Sequence, residues 1–312
     1  MDDRPAPWSA ALPPVAGAAV MATGILSIGF HPAGFEVLSL VALWLAAAVW
    51  LLLAGAFAAL FLSDRRGWEA RADTPPALTA VAATSVLGVR FSQLGWGPLA
   101  VALLALAAVA WVTLLPTVLR HLGHHMPGGA FLICVATQGL VVVAGTLAPR
   151  YGRWLAWAGL VLFVLGLVLY VDALVRFDPH QVVTGAGDQW VAGGSLAISA
   201  LAGAKLLATG VWTGAAHEAL RTTTLVLLGL SLAWCAVLAA AEVARPRPAY
   251  DVRRWATVFP VGMTAVACLF SAVPTGVGWL DPLGRVLLWT GAAVWLLTAY
   301  GLVRQASMGR PV

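Results

Sequence analysis

Arg253-Arg254-Trp255-Ala256-Thr257-Val258-Phe259-Pro260-Val261-Gly262-Met263-Thr264 opens an apolar segment that runs to Val273, long enough to cross a bilayer. Two arginines and a tryptophan mark the entry, as where a membrane helix leaves the headgroups. Pro260 removes a backbone donor inside the span, and Gly262 follows two residues later. A proline there costs a helical hydrogen bond and invites a kink, so the freed carbonyl needs a neighbouring helix or water. Such a helix belongs against protein or an aqueous path rather than lipid. Phe259, beside the expected kink, is the bulkiest side chain available to sit in that path.

The composition agrees with this setting. Of 312 residues, 61% are apolar and only 10% charged, and the mean hydropathy is +0.90. A soluble domain carries far more charge. At about 20 residues per span, a chain of this length holds roughly ten helices in one membrane domain. The net charge of +5 and pI near 9.6 do not point to nucleic acid, because the arginines sit in short loops between apolar runs, where they set topology. Cys134, Cys235 and Cys268 all fall inside apolar runs, which indicates neither a disulfide framework nor a metal site. No cofactor is expected. Residues 1–11, with Asp2, Asp3 and Arg4, lack a signal-peptide pattern.

Ten spans can be drawn around the opening stretch: 12–31, 37–62, 77–94, 96–119, 130–148, 154–176, 189–209, 218–242, 255–273 and 283–304. The third is the weakest, diluted by Thr84, Ser85, Arg90 and Gln93. The longest connections, 63–76 and 244–254, contain Pro75-Pro76 and Arg245-Pro246-Arg247-Pro248, sharp stops suited to short interfacial loops. With the N-terminus inside, Arg4, Arg65, Arg66, Arg71, Arg120, Arg176, Arg245, Arg247, Arg253, Arg254, Arg304 and Arg310 collect on one side. Arg90, Arg150, Arg153, Arg221 and Arg285 fall on the other. This asymmetry predicts a multi-pass protein of the plasma membrane with both termini cytoplasmic.

Hydroxyls and tryptophans divide unequally among the spans. The odd-numbered spans hold 14 Ser or Thr, and the longer even-numbered ones hold 9. Trp44, Trp50, Trp96, Trp111, Trp154, Trp157, Trp234, Trp289 and Trp295 lie in even spans, whereas Trp190 and Trp255 only open odd ones. Indole rings favour the lipid interface, while hydroxyls and small residues favour close packing or a wet interior. An inner set of odd helices inside an outer set of even ones accounts for both. Ser and Thr that merely pack helices together would leave the same bias.

The first span contains Met21-Ala22-Thr23-Gly24-Ile25-Leu26-Ser27, with Thr23 and Ser27 on one face. The seventh contains Gly193-Gly194-Ser195-Leu196-Ala197-Ile198-Ser199, with Ser195 and Ser199 again i, i+4. Thin, hydroxyl-bearing helices offer donors to an anion without fixed charges that trap it. These two motifs, with Trp255-Ala256-Thr257-Val258-Phe259-Pro260-Val261-Gly262-Met263 of the ninth span, resemble the tellurite-resistance/dicarboxylate transporter family. That family includes the bacterial tellurite-resistance membrane protein, fungal malate permeases, sulfite efflux pumps and the slow-type anion channels of plant guard cells. The resemblance covers essentially the whole chain. It implies an all-α integral membrane fold of five helical hairpins, with odd helices forming an inner pore ring and even helices an outer ring, assembled as a homotrimer. It also implies a ninth-helix phenylalanine that occludes the pore, at the position of Phe259.

On this reading the chain moves small inorganic or organic anions. Phe259 is the gate, Pro260 and Gly262 set its position, and Thr23, Gly24, Ser27, Ser195, Ser199 and Thr264 are candidate lining residues. The alternative is a proton-coupled C4-dicarboxylate or sulfite transporter on the same scaffold, and core packing alone would also explain Phe259. Lys205, the only lysine, and Arg90 are candidates to attract anions, although Lys205 could equally snorkel to headgroups and Arg90 could simply end its helix. Asp172 and Arg176, at i, i+4, read as an ion pair, with a proton site at Asp172 as the competing reading. His121, His124 and His125 read as an interfacial loop. No phosphate-cradling glycine loop or nucleophile–base pair stands at an interpretable spacing, so an enzyme is not expected.

The orientation is testable in a cysteine-free background. Single cysteines at Arg66 and Arg247 are expected to resist an impermeant thiol reagent added outside intact cells, and one at Tyr151 to react. Labelling at position 66 would reverse the topology.

Overall fold

The computed structural model describes residues 14–247 and 250–308. Asp2, Asp3, Arg4, residues 12 and 13, Pro248 and Arg310 lie outside the described residues. The chain is helical throughout: α1 (Gly17–Phe30), α2 (Glu36–Ser63), α3 (Arg65–Ala72), α4 (Thr79–Gln93), α5 (Gly97–Arg120), α6 (Leu132–Tyr151), α7 (Trp154–Arg176), α8 (Gln181–Thr184), α9 (Val191–Leu207), α10 (Gly214–Ala244), α11 (Trp255–Thr275) and α12 (Leu280–Ser307).

Eight segments among the described residues are long and apolar enough to cross a membrane. The two expected spans that fall short are the first and third. The first is the shorter apolar helix Pro14–Phe30. The third, α4, has 15 residues, about 22 Å at 1.5 Å per residue, against a hydrocarbon thickness of about 30 Å. Its hydroxyls and Arg90 lower its hydropathy as well as its length. The connection after α2 is also more ordered than a plain loop. Asp64 accepts a hydrogen bond from the Gly67 backbone at 2.9 Å and so caps α3, with Trp68 set against Phe57 and Phe61.

Two classes of helix differ sharply in burial. In the segments containing α6, α9 and α11, 94%, 94% and 89% of the most apolar stretch is buried, whereas the figures for α2 and α12 are 17%. α1 and α4 are buried along nearly their whole length. Neighbour contacts pass from α1 to α4, α6, α9, α11 and back to α1, and each of these helices is backed by the one that follows it across a tight turn: α2, α5, α7, α10 and α12. A helix apolar all round belongs in such an enclosed position.

Directed hydrogen bonds tie the outer helices to the buried ones. The indole Nε1 of Trp50 (α2) donates to Thr84 Oγ1 (α4), that of Trp111 (α5) to Thr137 Oγ1 (α6), and that of Trp295 (α12) to Thr23 Oγ1 (α1), each at 2.9 Å. Each threonine gives its own hydroxyl proton to the carbonyl four residues back, which leaves an oxygen lone pair aimed outward for the indole. In all three cases the tryptophan reaches the buried helix of the next hairpin, so the bonds lock neighbouring hairpins together. Ser231 of α10 and Thr264 of α11 make a comparable link at 3.2 Å.

Replacing Thr137 by valine keeps the shape and strands the Trp111 indole. The expected loss is roughly 0.6–2 kcal/mol, the range for interhelical hydrogen bonds in membranes, read from thermal unfolding in detergent. Trp111→Phe added to Thr137→Val should cost little more, because the bond is already gone.

Candidate functional site

Each of the five buried helices begins with a short 3-10 turn: Pro14–Ala16, Pro75–Leu78, Gly128–Phe131, Asp188–Trp190 and Val252–Arg254. None of the outer helices does. Proline and paired glycines write these starts, since Pro75-Pro76 and Pro127-Gly128-Gly129 suit a tight turn with few donors. The turns are neighbours in space and surround one cavity of about 250 Å³. A helix start carries a partial positive charge from its unpaired N–H groups. Five of them around one opening make it electropositive without requiring a ring of cations. Asp188 and Arg253 add one charge of each sign at the rim. The Asp188 carboxylate accepts from the Gly129 backbone at 3.2 Å. Arg253 is held by Asp251 at 2.8 Å, and that hydrogen bond keeps the Asp251 carboxyl below the usual carboxylate range.

Phe259 lies one turn beyond the rim, where it lines the cavity with Met21, Leu132 and Val191, and it is 1% exposed. Its ring is therefore part of the closed floor beneath the electropositive opening. Pro260 sits inside a continuous α11, its carbonyl accepting from Thr264 Oγ1 at 2.9 Å. The Pro260 ring is pressed against α9 at Gly194, where an added Cβ would lie 2.8 Å from the ring Cγ. Gly262 faces the other way, toward Ile25 of α1 and the backbone of α12 at Gly291. Pro260 and Gly262 thus fix α11 between α9 on one side and α1 and α12 on the other.

The candidate hydroxyls are all on buried helices, and each has a protein partner. Thr23 serves Trp295. Ser27 and Ser39 exchange side-chain-to-carbonyl bonds at 2.6 Å between α1 and α2. Ser195 and Ser199 turn back to carbonyls on α9, with Ser199 Oγ 3.7 Å from Cys134 Sγ of α6. Gly24 packs against Val86 and Ala46. These residues belong to helix contacts around the circuit and do not gather at one point with Phe259.

The charged candidates separate. Arg90 is fully buried, its Nη2 2.7 Å from Glu36 Oε1 and its Nε 2.9 Å from Ser39 Oγ. Glu36 also meets His31 Nδ1 at 2.5 Å. Arg90 is therefore bound into a contact between α2 and α4, with only Nη1 left over. Lys205 lies near the far end of α9 with its Nζ 3.8 Å from the centre of the Phe270 ring, a cation–π contact. Asp172 is chelated by Arg176 Nε, 3.0 Å from each carboxylate oxygen. His121 lies 3.9 Å from Asp73.

Residues 11–303 match the voltage-dependent anion channel family. The chain belongs to this family. A comparison with curated proteins finds no match. Family membership agrees with the resemblance seen in the sequence and places anion transport across a membrane, by a multi-pass helical protein, as the function class.

The residues missed in the sequence were Phe270 and the five helix starts. Phe270 had a signal, because Phe259, Met263, Val266 and Phe270 follow i, i+4, i+7, i+11 spacing and share a face of α11. The turns were written in Pro75-Pro76 and Pro127-Gly128-Gly129, but their convergence was not. Gly194→Ala is expected to force α9 and α11 apart, lowering stability by roughly 1–3 kcal/mol as overpacking does, measured by thermal unfolding. Because Pro260 is the group displaced, basal anion flux per folded protein should change with it. Unaltered stability and flux would show that the contact is slack.

Proposed function

We propose that this chain conducts small anions along the axis enclosed by α1, α4, α6, α9 and α11, and that Phe259 closes that path. Convergence of five helix starts on a cavity lined by Phe259 is the observation that carries the reading. The opening draws anions by partial charge, and with Arg253 the one cation among the described lining residues it lets them leave again, as conduction requires. On this reading the buried helices, including the two short ones, form the inner ring of five hairpins, and the arginine-rich side with the five starts faces the cytoplasm of a plasma-membrane protein. At the opposite end, the Lys205 ammonium over Phe270 offers an anion a second place to pause. The family resemblance supports a homotrimer in which every protomer has its own path. For the coupled C4-dicarboxylate or sulfite alternative, the acidic side chain considered, Asp172, has both of its oxygens engaged by Arg176.

Purified protein in liposomes, compared for chloride, nitrate, sulfite and malate at several pH values, tests the reading. A channel should follow the anion gradient with little dependence on an opposing proton gradient, and a symporter should not. Phe259→Ala should raise flux per folded protomer strongly, with Phe259→Leu in between. If Phe259 is instead core packing, truncation should cost roughly 3–5 kcal/mol of stability and add no conductance. Equal flux for all three proteins removes Phe259 from the gate.

A further inference from the structure

The outer helices leave grooves between them where the buried layer shows through. One lies between α2 and α5, encloses about 520 Å³ and includes Trp68 of α3 in its lining, with α3 packed against α5. The groove between α10 and α12 is larger, about 1250 Å³. Thr257 and Val261 of α11 form its floor, and Leu232, Ala239, Val294 and Leu297 its walls. It is apolar for most of its length and open to whatever surrounds the protein.

Its end on the side of the five helix starts is chemically different. Arg247, Arg254 and Arg304 line it together with Glu242 and Tyr250. Three guanidinium groups against one carboxylate leave an excess of two positive charges. Glu242 is shared, taking Arg254 Nη1 at 2.6 Å and Arg247 Nη2. Arg247 keeps Nε and Nη1 buried without a partner, and Trp190 Nε1, in the same groove, is also without one. Unmet donors of a charged side chain are costly when buried. The most economical partner is an anion bearing several acceptor oxygens.

We propose that this groove holds an anionic phospholipid, with its phosphodiester between Arg247 and Arg304 and an acyl chain along Leu232, Ala239, Val294 and Leu297. Charge complementarity selects the headgroup, and the long apolar groove continuing from it selects a lipid over a free anion. The site requires only a bilayer around the helices and does not depend on the path past Phe259. An occupied groove would brace α10 and α12 against α11 in the space where those two outer helices stand apart.

The test is native mass spectrometry of the full-length protein after exchange into detergent containing phosphatidylglycerol, phosphatidylcholine or both. Wild type is expected to retain phosphatidylglycerol with a preference of roughly ten- to thirtyfold, the scale for two arginines near an anionic headgroup. Arg247→Gln with Arg304→Gln should abolish the preference. Ala239→Trp, which fills the exposed wall and leaves every arginine in place, should abolish retention itself. Melting temperatures without lipid identify any variant that fails to fold, and the other variant then carries the test. Equal retention of both lipids by wild type, or an unchanged preference in folded variants, overturns the proposal. Complete displacement of phosphatidylglycerol by inorganic phosphate would assign the arginines to a free anion and also overturn it. So would a change of oligomeric mass in the variants with lipid preference intact, since the groove would then be filled by a second copy of the chain.

Discussion

The buried helices are enclosed by neighbours, so most of the hydroxyls they carry find their partners within the protein, Ser271 Oγ being left without one. Trp50–Thr84, Trp111–Thr137 and Trp295–Thr23 are three such pairings, made in the same way. A threonine on a buried helix spends its proton on its own backbone and presents an oxygen to an indole from the preceding hairpin. The unequal distribution of hydroxyls and tryptophans along the chain is, at these three positions, two ends of one bond. The indole fills space and supplies one directed donor, so register between hairpins is fixed without placing a charge among the apolar residues.

That arrangement frees the helix starts for another use. The buried helices all begin on one side of the molecule, and their first turns surround a small cavity. Partial charges there need no counter-ion and little desolvation, in contrast to Arg90, whose full charge is buried and had to be matched by Glu36. The two cases differ because a partial charge is spread over backbone donors, whereas a full buried charge needs a matched partner. Phe259 adds a steric element one turn further in, held by the packing of Pro260 on Gly194 and of Gly262 on α1 and α12.

The outer layer is looser by comparison. Its helices pack mainly inward, on the layer they cover, and the spaces between them are closed to different degrees by α3 and left open between α10 and α12. Arginines gather at the open groove's end on the same side as the helix starts, so one side of the molecule offers donors both to the central cavity and to the membrane-facing groove.

Much of this was determined by the sequence alone. Mean hydropathy and span length require a membrane protein, because so few charges cannot solvate a globular surface. The Thr23-Gly24, Ser195–Ser199 and Phe259-Pro260 motifs carry the family, since small and hydroxyl residues mark helices that approach closely. Local patterns also sufficed for the Asp172–Arg176 pair, where both groups stand on one helix face. Partners distant in sequence were decided only by the tertiary structure. Arg90 read as a cation that attracts anions or ends its helix, and the structure pairs it with a glutamate 54 residues away. Ser27 and Thr23 read as hydroxyls for a path, yet each is claimed by a neighbouring helix. Lys205 rests on Phe270 of a different helix, a contact no spacing rule encodes. Periodicity tells which residues share a face, but which neighbour that face meets depends on how five hairpins close around one another.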